Sequence, residues 1–180
     1  MDLKFIPTEF LLSTDHWFSA ETIAETQALP LIAARLQGDG LLTLALQKAY
    51  DLPSSVELRR QADWVDEQGG IGLRRDVLIK SGEIVRVVAA TLMPKSIITR
   101  HPWIATMGNN PLGEMMGKNA RYQRGTFEFS QLKAEMVFPA PSDPALLLWA
   151  RRYRFYLAED FLTVTEIFLP GVLEHLGTAI

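Results

Sequence analysis

Cysteine is absent from the 180 residues. Without it the chain has no thiol nucleophile, disulfide, thiolate zinc site or iron–sulfur cluster. The lack of disulfides fits a reducing compartment, and we expect a cytoplasmic protein. Histidine is nearly as scarce. His16, His101 and His175 are far apart with no H-x-x-x-H spacing, so each reads as a surface or interfacial side chain and no metal site is expected. Long apolar runs are missing too: the uncharged stretches 28–34, which contains Pro30, and 145–150 fall far short of a membrane span, which needs roughly 20 residues. Met1-Asp2-Leu3-Lys4-Phe5-Ile6-Pro7 shows no basic region followed by an apolar one. Positive charge is not in excess, with 18 Lys and Arg against 21 Asp and Glu for a net −3. A nucleic-acid partner usually leaves the opposite, basic footprint. There is no G-x-S-x-G elbow, P-loop or G-x-G-x-x-G.

What remains is a 48% hydrophobic chain with no repeat, low-complexity tract or linker. We expect one domain over 1–180, burying roughly 70% of the surface its unfolded form exposes. The first part reads helical, capped at Thr14 or Asp15 and running to 27, interrupted at Pro30, resuming over 31–37 and broken at Gly38-Asp39-Gly40. Leu41, Leu42, Leu44, Ala45, Leu46 and Ala49 then form a helical apolar face. From Val56 the pattern turns strand-like, with Arg59-Arg60 reading as a solvated strand end. Strands are predicted over 73–80 and 84–93, joined at Ser81-Gly82-Glu83, and over 149–157 and 161–169, joined at Ala158-Glu159-Asp160. Residues 123–130 form a weaker strand. Short helices are placed near Pro94, Pro111 and Pro170, since proline suits a first helical turn. Trp17, Trp64 and Trp103 read as core or rim, and Met93, Met107, Met115 and Met116 as flexible packing. Adjacent hairpins pair antiparallel, so the class is α+β with helices on one sheet.

Strand side chains alternate with period two, which exposes charges on the wrong face. Leu162, Val164, Glu166 and Phe168 share a face, so Glu166 stands in an apolar row. Burial would raise its pKa and a cationic neighbour would lower it. Leu73, Arg75, Val77 and Ile79 form another such row, with Arg74 on the opposite, solvated side. A buried guanidinium needs an anion, and for Arg75 that is either Glu166 or a ligand carboxylate. Trp149, Arg151, Tyr153, Phe155 and Leu157 make a third row. A purely structural ion pair would leave the same pattern.

Three blocks resemble the chorismate lyase family. Trp149-Ala150-Arg151-Arg152, a turn, and Thr165-Glu166-Ile167-Phe168-Leu169-Pro170 are similar to its W-x-R-R and T-E-x-F-L-P. Leu73-Arg74-Arg75-Asp76-Val77-Leu78-Ile79 with Thr91-Leu92-Met93-Pro94 is similar to its L-R-E-x-L-L … T-x-x-P hairpin, although the family's G-R-T is Ala89-Ala90-Thr91 here. Met107-Gly108-Asn109-Asn110-Pro111-Leu112-Gly113 resembles L-G-x-x-P-L-G. A fourth, Asp39-Gly40-Leu41-Leu42-Thr43, is similar to D-x-S-M-T.

The resemblance implies an antiparallel sheet of about six strands with helices on it and a cavity under helical flaps. It implies cofactor-free elimination of pyruvate from chorismate to give 4-hydroxybenzoate for quinone synthesis. Arg75 would bind the ring carboxylate, Glu166 would meet the hydroxyl and serve as base, and Leu42 and Leu112 would wall the pocket. Arg151 is our candidate for the enolpyruvyl carboxylate, with Arg152 in its place if the strand bulges. We expect a monomer with small-molecule partners, no nucleic acid and no membrane span. The same fold serves as the effector-binding domain of some transcription regulators, so a non-catalytic aromatic-acid sensor is the alternative, as is a lyase making another hydroxybenzoate.

Overall fold

A computed structural model describes residues 3–25, 35–36, 41–65, 69–117, 122–143 and 145–176; the expected helix interruption at Pro30 and the break at Gly38-Asp39-Gly40 lie outside them. The strands are β1 (Phe18–Ser19), β2 (Ser54–Val65), β3 (Ile71–Ser81), β4 (Ile84–Pro94), β5 (Tyr122–Arg124), β6 (Glu128–Lys133), β7 (Leu147–Leu157) and β8 (Asp160–Phe168). They form one sheet in the order β1-β6-β7-β8-β4-β3-β2, with β5 paired to the far end of β7. All pairings are antiparallel. The class is α+β as expected.

The sheet has eight strands rather than about six. The predicted strand at 123–130 is two, because Gly125 sits against the Tyr156 ring, where a Cβ would lie 2.8 Å from the ring edge. Its N–H turns to the Arg154 carbonyl. Arg59-Arg60 is not a strand end but the middle of β2, the sheet's edge strand. A bulge between Leu58 and Arg60 re-aims these side chains, and Arg60 reaches Asp76 at 2.9 Å. The β3–β4 hairpin closes through Gly82-Glu83 with Gly82 at φ +55°, a conformation that glycine takes without a Cβ clash.

Two layers cover the sheet. On one face lies the N-terminal segment from Leu3 to Trp17. It contains the helix Thr8–Leu12; the helix expected from Thr14 or Asp15 starts instead at Ala20 and runs to Glu25, its first turn met by Ser19 Oγ, which accepts from the Thr22 N–H. Two arginines hold this segment. Arg74 was assigned to solvent, yet it is 3% exposed. Its guanidinium pairs with Asp76 at 2.7 Å and donates to the Ile6 carbonyl and Thr8 Oγ1. Arg152 pairs with Glu128 and donates to the carbonyls of Leu11 and Ser13. Period two predicted the face correctly; what lay on it, 66 and 68 residues from Arg74 and 139 and 141 from Arg152, could not be read from the strands.

The other face carries the helices Leu42–Tyr50, Lys95–Arg100, Leu112–Gly117 and Val172–Leu176. The last three begin just after Pro94, Pro111 and Pro170, as expected. Leu46, Ile97, Met116 and Val172 are almost fully buried, each worth about 1.5–3 kcal/mol of apolar burial. No helix among the described residues is long and apolar enough to cross a membrane.

Candidate active site

Strand register gathers the misplaced charges on the helix-covered face. Arg75 lies opposite Thr91 on β4, Thr91 opposite Val164 on β8, and Glu166 opposite both Ala89 on β4 and Arg151 on β7. Arg75 and Glu166 are therefore two strands and two residues apart, about 12 Å between Cα atoms from standard strand spacing. Between them the same face of the sheet presents the short side chains of Ala89, Thr91 and Val164. Arg152 and Ala90 point to the opposite face. The absence of the family's G-R-T arginine at Ala90 thus falls beside Asp76, which Arg74 and Arg60 already serve, and not on the face of Arg75.

Arg75 is 2% exposed and has no carboxylate partner among the described residues. One terminal nitrogen donates to the carbonyls of Gly108 at 2.7 Å and Asn110 at 3.0 Å, and its buried Nε has no partner. The two carbonyls come from a tight turn. Gly108 sits at φ +54°, where a side chain would be strained, and the Asn110 N–H and side chain both return to the Met107 carbonyl. Asn109 Oδ1 accepts the Leu58 N–H at the β2 bulge, and Gln61 donates to the Ala105 carbonyl. Both bonds pin this loop to the sheet edge. Dipoles solvate a cation without neutralising it, and burial lowers the guanidinium to about 10. At neutral pH it is a desolvated positive charge.

Glu166 has what Arg75 lacks. Arg151 Nε donates to its Oε2 at 2.5 Å and Nη1 to the Leu36 carbonyl at 2.7 Å. Phe127 and Phe168 stack near the guanidinium, their centroids 4.7 and 5.5 Å from its carbon. Tyr153 O–H donates to Oε1 at 3.2 Å. Burial and the Glu166 charge push the Tyr153 phenol up, so it stays a donor. Each carboxylate oxygen has a second acceptor position, so Glu166 can still take a hydroxyl from a ligand. Of the two anions considered for Arg75, Glu166 is committed elsewhere.

Leu42 and Leu112 are buried at the starts of their helices. Thr43 and Glu114 hydrogen-bond at 3.4 Å and join the two starts, and Leu112 follows the Arg75-binding turn directly. The helix-covered face thus brings a desolvated cation and a positioned carboxylate to one side of the sheet. Among the described residues, no cluster of three or more His, Cys, Asp or Glu could hold a metal.

A family model described as chorismate lyase matches residues 12–177. The chain belongs to the chorismate lyase family. A probable chorismate pyruvate-lyase of Thiobacillus denitrificans is 32% identical over 163 residues, covering 82% of this chain and 87% of that protein. Another from Shewanella sp. (strain W3-18-1) is 30% identical, covering 87% and 89%. A third, from Coxiella burnetii, is 28% identical, covering 71% and 69%. Among solved structures, the effector domain of PhnF from Mycobacterium smegmatis has a TM-score of 0.54 at 16% identity, covering 74% of this chain and 90% of that domain. That likeness speaks for the fold alone.

Several participants escaped the sequence reading. Tyr153 stood in an inward row but only as an aromatic neighbour of Arg151. The Gly108 and Asn110 carbonyls are backbone groups that no side-chain pattern reports. Phe127, whose ring lies near Arg151, follows the Gly125 break, where strand periodicity lapses. The break itself was the available signal.

Proposed function

We propose that this chorismate lyase family member eliminates pyruvate from chorismate to give 4-hydroxybenzoate. The observation that carries the reading is Arg75, buried without a carboxylate among the described residues and facing the same side as a positioned glutamate. The ring carboxylate of the substrate supplies the missing anion, held by charge-assisted hydrogen bonds that orient the ring. Glu166 accepts a hydrogen bond from the C4 hydroxyl and is placed as the candidate base for the C4 proton. Arg151 and Tyr153 fix the carboxylate in that position. In the balanced reaction the C3–O ether bond breaks and C4 loses its proton. The ring becomes aromatic, and the departing enolpyruvate takes up a proton to become pyruvate. Leu42 and Leu112 keep the ring out of water. Product keeps the carboxylate and hydroxyl that hold the substrate, so it should leave slowly. The protein would then act on a soluble metabolite and feed quinone synthesis, without nucleic acid and as a monomer.

Incubation with chorismate, followed by the absorbance of 4-hydroxybenzoate and by product identification, tests the reading. Turnover to that isomer is expected. A different hydroxybenzoate would correct the product assignment. Tight 4-hydroxybenzoate binding with no turnover would favour the second reading, an aromatic-acid-binding domain without catalysis, which the fold likeness to the PhnF effector domain supports.

A further inference from the structure

We propose that Thr91 donates a hydrogen bond to the ligand carboxylate that Arg75 binds, as the neutral half of a two-residue carboxylate site. This rests on the reading of Arg75 above. On β4 the row Val87, Ala89, Thr91 and Met93 faces the covering helices and is almost fully buried. Thr91 is its one polar side chain. It is 3% exposed, and its hydroxyl has no partner among the described residues, whereas most buried hydroxyls are hydrogen-bonded.

The two cross-strand neighbours of Arg75 are differently engaged. On the β2 side it pairs with Gln61 and on the β4 side with Thr91. Gln61 is committed, since its amide donates to the Ala105 carbonyl at 2.8 Å. The turn that follows supplies the Gly108 and Asn110 carbonyls, and Asn109 ties that turn to the Leu58 N–H of β2. Both hydrogen bonds of the Arg75 guanidinium leave from one terminal nitrogen. Its Nε and its other terminal nitrogen have no acceptor among the described residues. In the sheet β4 lies between β3 and β8, so the line from Arg75 to Glu166 crosses Thr91. Directly opposed residues on antiparallel strands stand about 4.5–5.5 Å apart, which brings a threonine hydroxyl within reach of an anion held by the neighbouring guanidinium. A carboxylate has about four acceptor positions, more than one guanidinium fills. The cation supplies the attraction, and the hydroxyl adds a directed bond without burying a second charge.

Thr91→Val replaces the hydroxyl by a methyl of the same shape and suits a strand, so thermal unfolding should stay near that of the unaltered chain. The dissociation constant of 4-hydroxybenzoate, by calorimetry, should rise about tenfold, the effect of one hydrogen bond to a charged group. 4-Cresol keeps the hydroxyl and has a methyl in place of the carboxylate. Its affinity should differ by no more than about twofold between the two chains, and Thr91→Ser should bring 4-hydroxybenzoate back to within about threefold of the unaltered chain. An unchanged 4-hydroxybenzoate affinity in Thr91→Val, or an equal loss for both ligands, overturns the assignment. Arg75→Ala tests the reading beneath it by the same titration. Unchanged affinity there removes the carboxylate from Arg75 and the proposal with it; a large loss there with none in Thr91→Val overturns the proposal alone.

Discussion

On the face covered by the N-terminal segment, Arg74 and Arg152 each have a carboxylate and backbone carbonyls, and their work is to hold that segment down. On the helix-covered face, Arg151 is similarly matched to Glu166, but among the described residues Arg75 has carbonyl dipoles only and an unpartnered Nε. Residue type and burial are the same on both faces; the supply of anions differs. Breaking a buried ion pair leaves an uncompensated charge and is strongly destabilising. Arg75 stands in that condition already, which is reasonable only if a ligand completes it.

The largest effect should come from Arg75→Ala: initial rates of 4-hydroxybenzoate formation should drop by about 10³-fold or more, about 4 kcal/mol of barrier. Thermal unfolding should stay near that of the unaltered chain; near-normal activity would remove Arg75 from the site. Next is Asp76→Ala, which puts Arg74 in the situation of Arg75 without a ligand to relieve it. Urea unfolding should show a loss of about 3 kcal/mol, and a neutral result would mean that the two faces are not distinguished by their anions. Glu166→Gln keeps the hydrogen bond but removes the charge. We expect turnover to fall about 100-fold, about 2.7 kcal/mol, and if neither rate nor product affinity changes, Glu166 is structural. Tyr153→Phe removes one bond to a charged group and should lower kcat by about tenfold, about 1.4 kcal/mol; an unaltered rate would leave Arg151 as the only group that positions Glu166. The smallest effect is in pH. Arg75 is lowered to about 10, and only its charged form attracts a carboxylate. Benzoate, which has no phenol to titrate, should bind equally well at neutral pH and at about pH 9, then lose affinity as the guanidinium gives up its proton above about 10. Weakening already near neutral pH, by calorimetry, would point to another group.

Much of this was legible because strand periodicity is a local property. Arg75, Glu166 and Arg151 stand out as charges in apolar rows, and the hairpin turns at Gly82 and Ala158 follow the predicted breaks. Arg74 was misassigned for the same reason. Alternation says which residues share a face and nothing about what covers it, and here the cover is Ile6 and Thr8. The family's missing arginine at Ala90 has the same character, since only register with Asp76 shows that it bears on the N-terminal face.

The sequence alone determined the class, the main hairpins and the charges in the apolar rows (Arg75, Arg151 and Glu166), because dihedral preference, turn chemistry and period two operate over a few residues. Tertiary structure decided which charge meets which. It committed Glu166 to Arg151 and Tyr153, and brought the turn at Gly108 onto Arg75. Ion pairing depends on distances of a few ångströms between segments far apart in the chain, and only the packed sheet sets those distances.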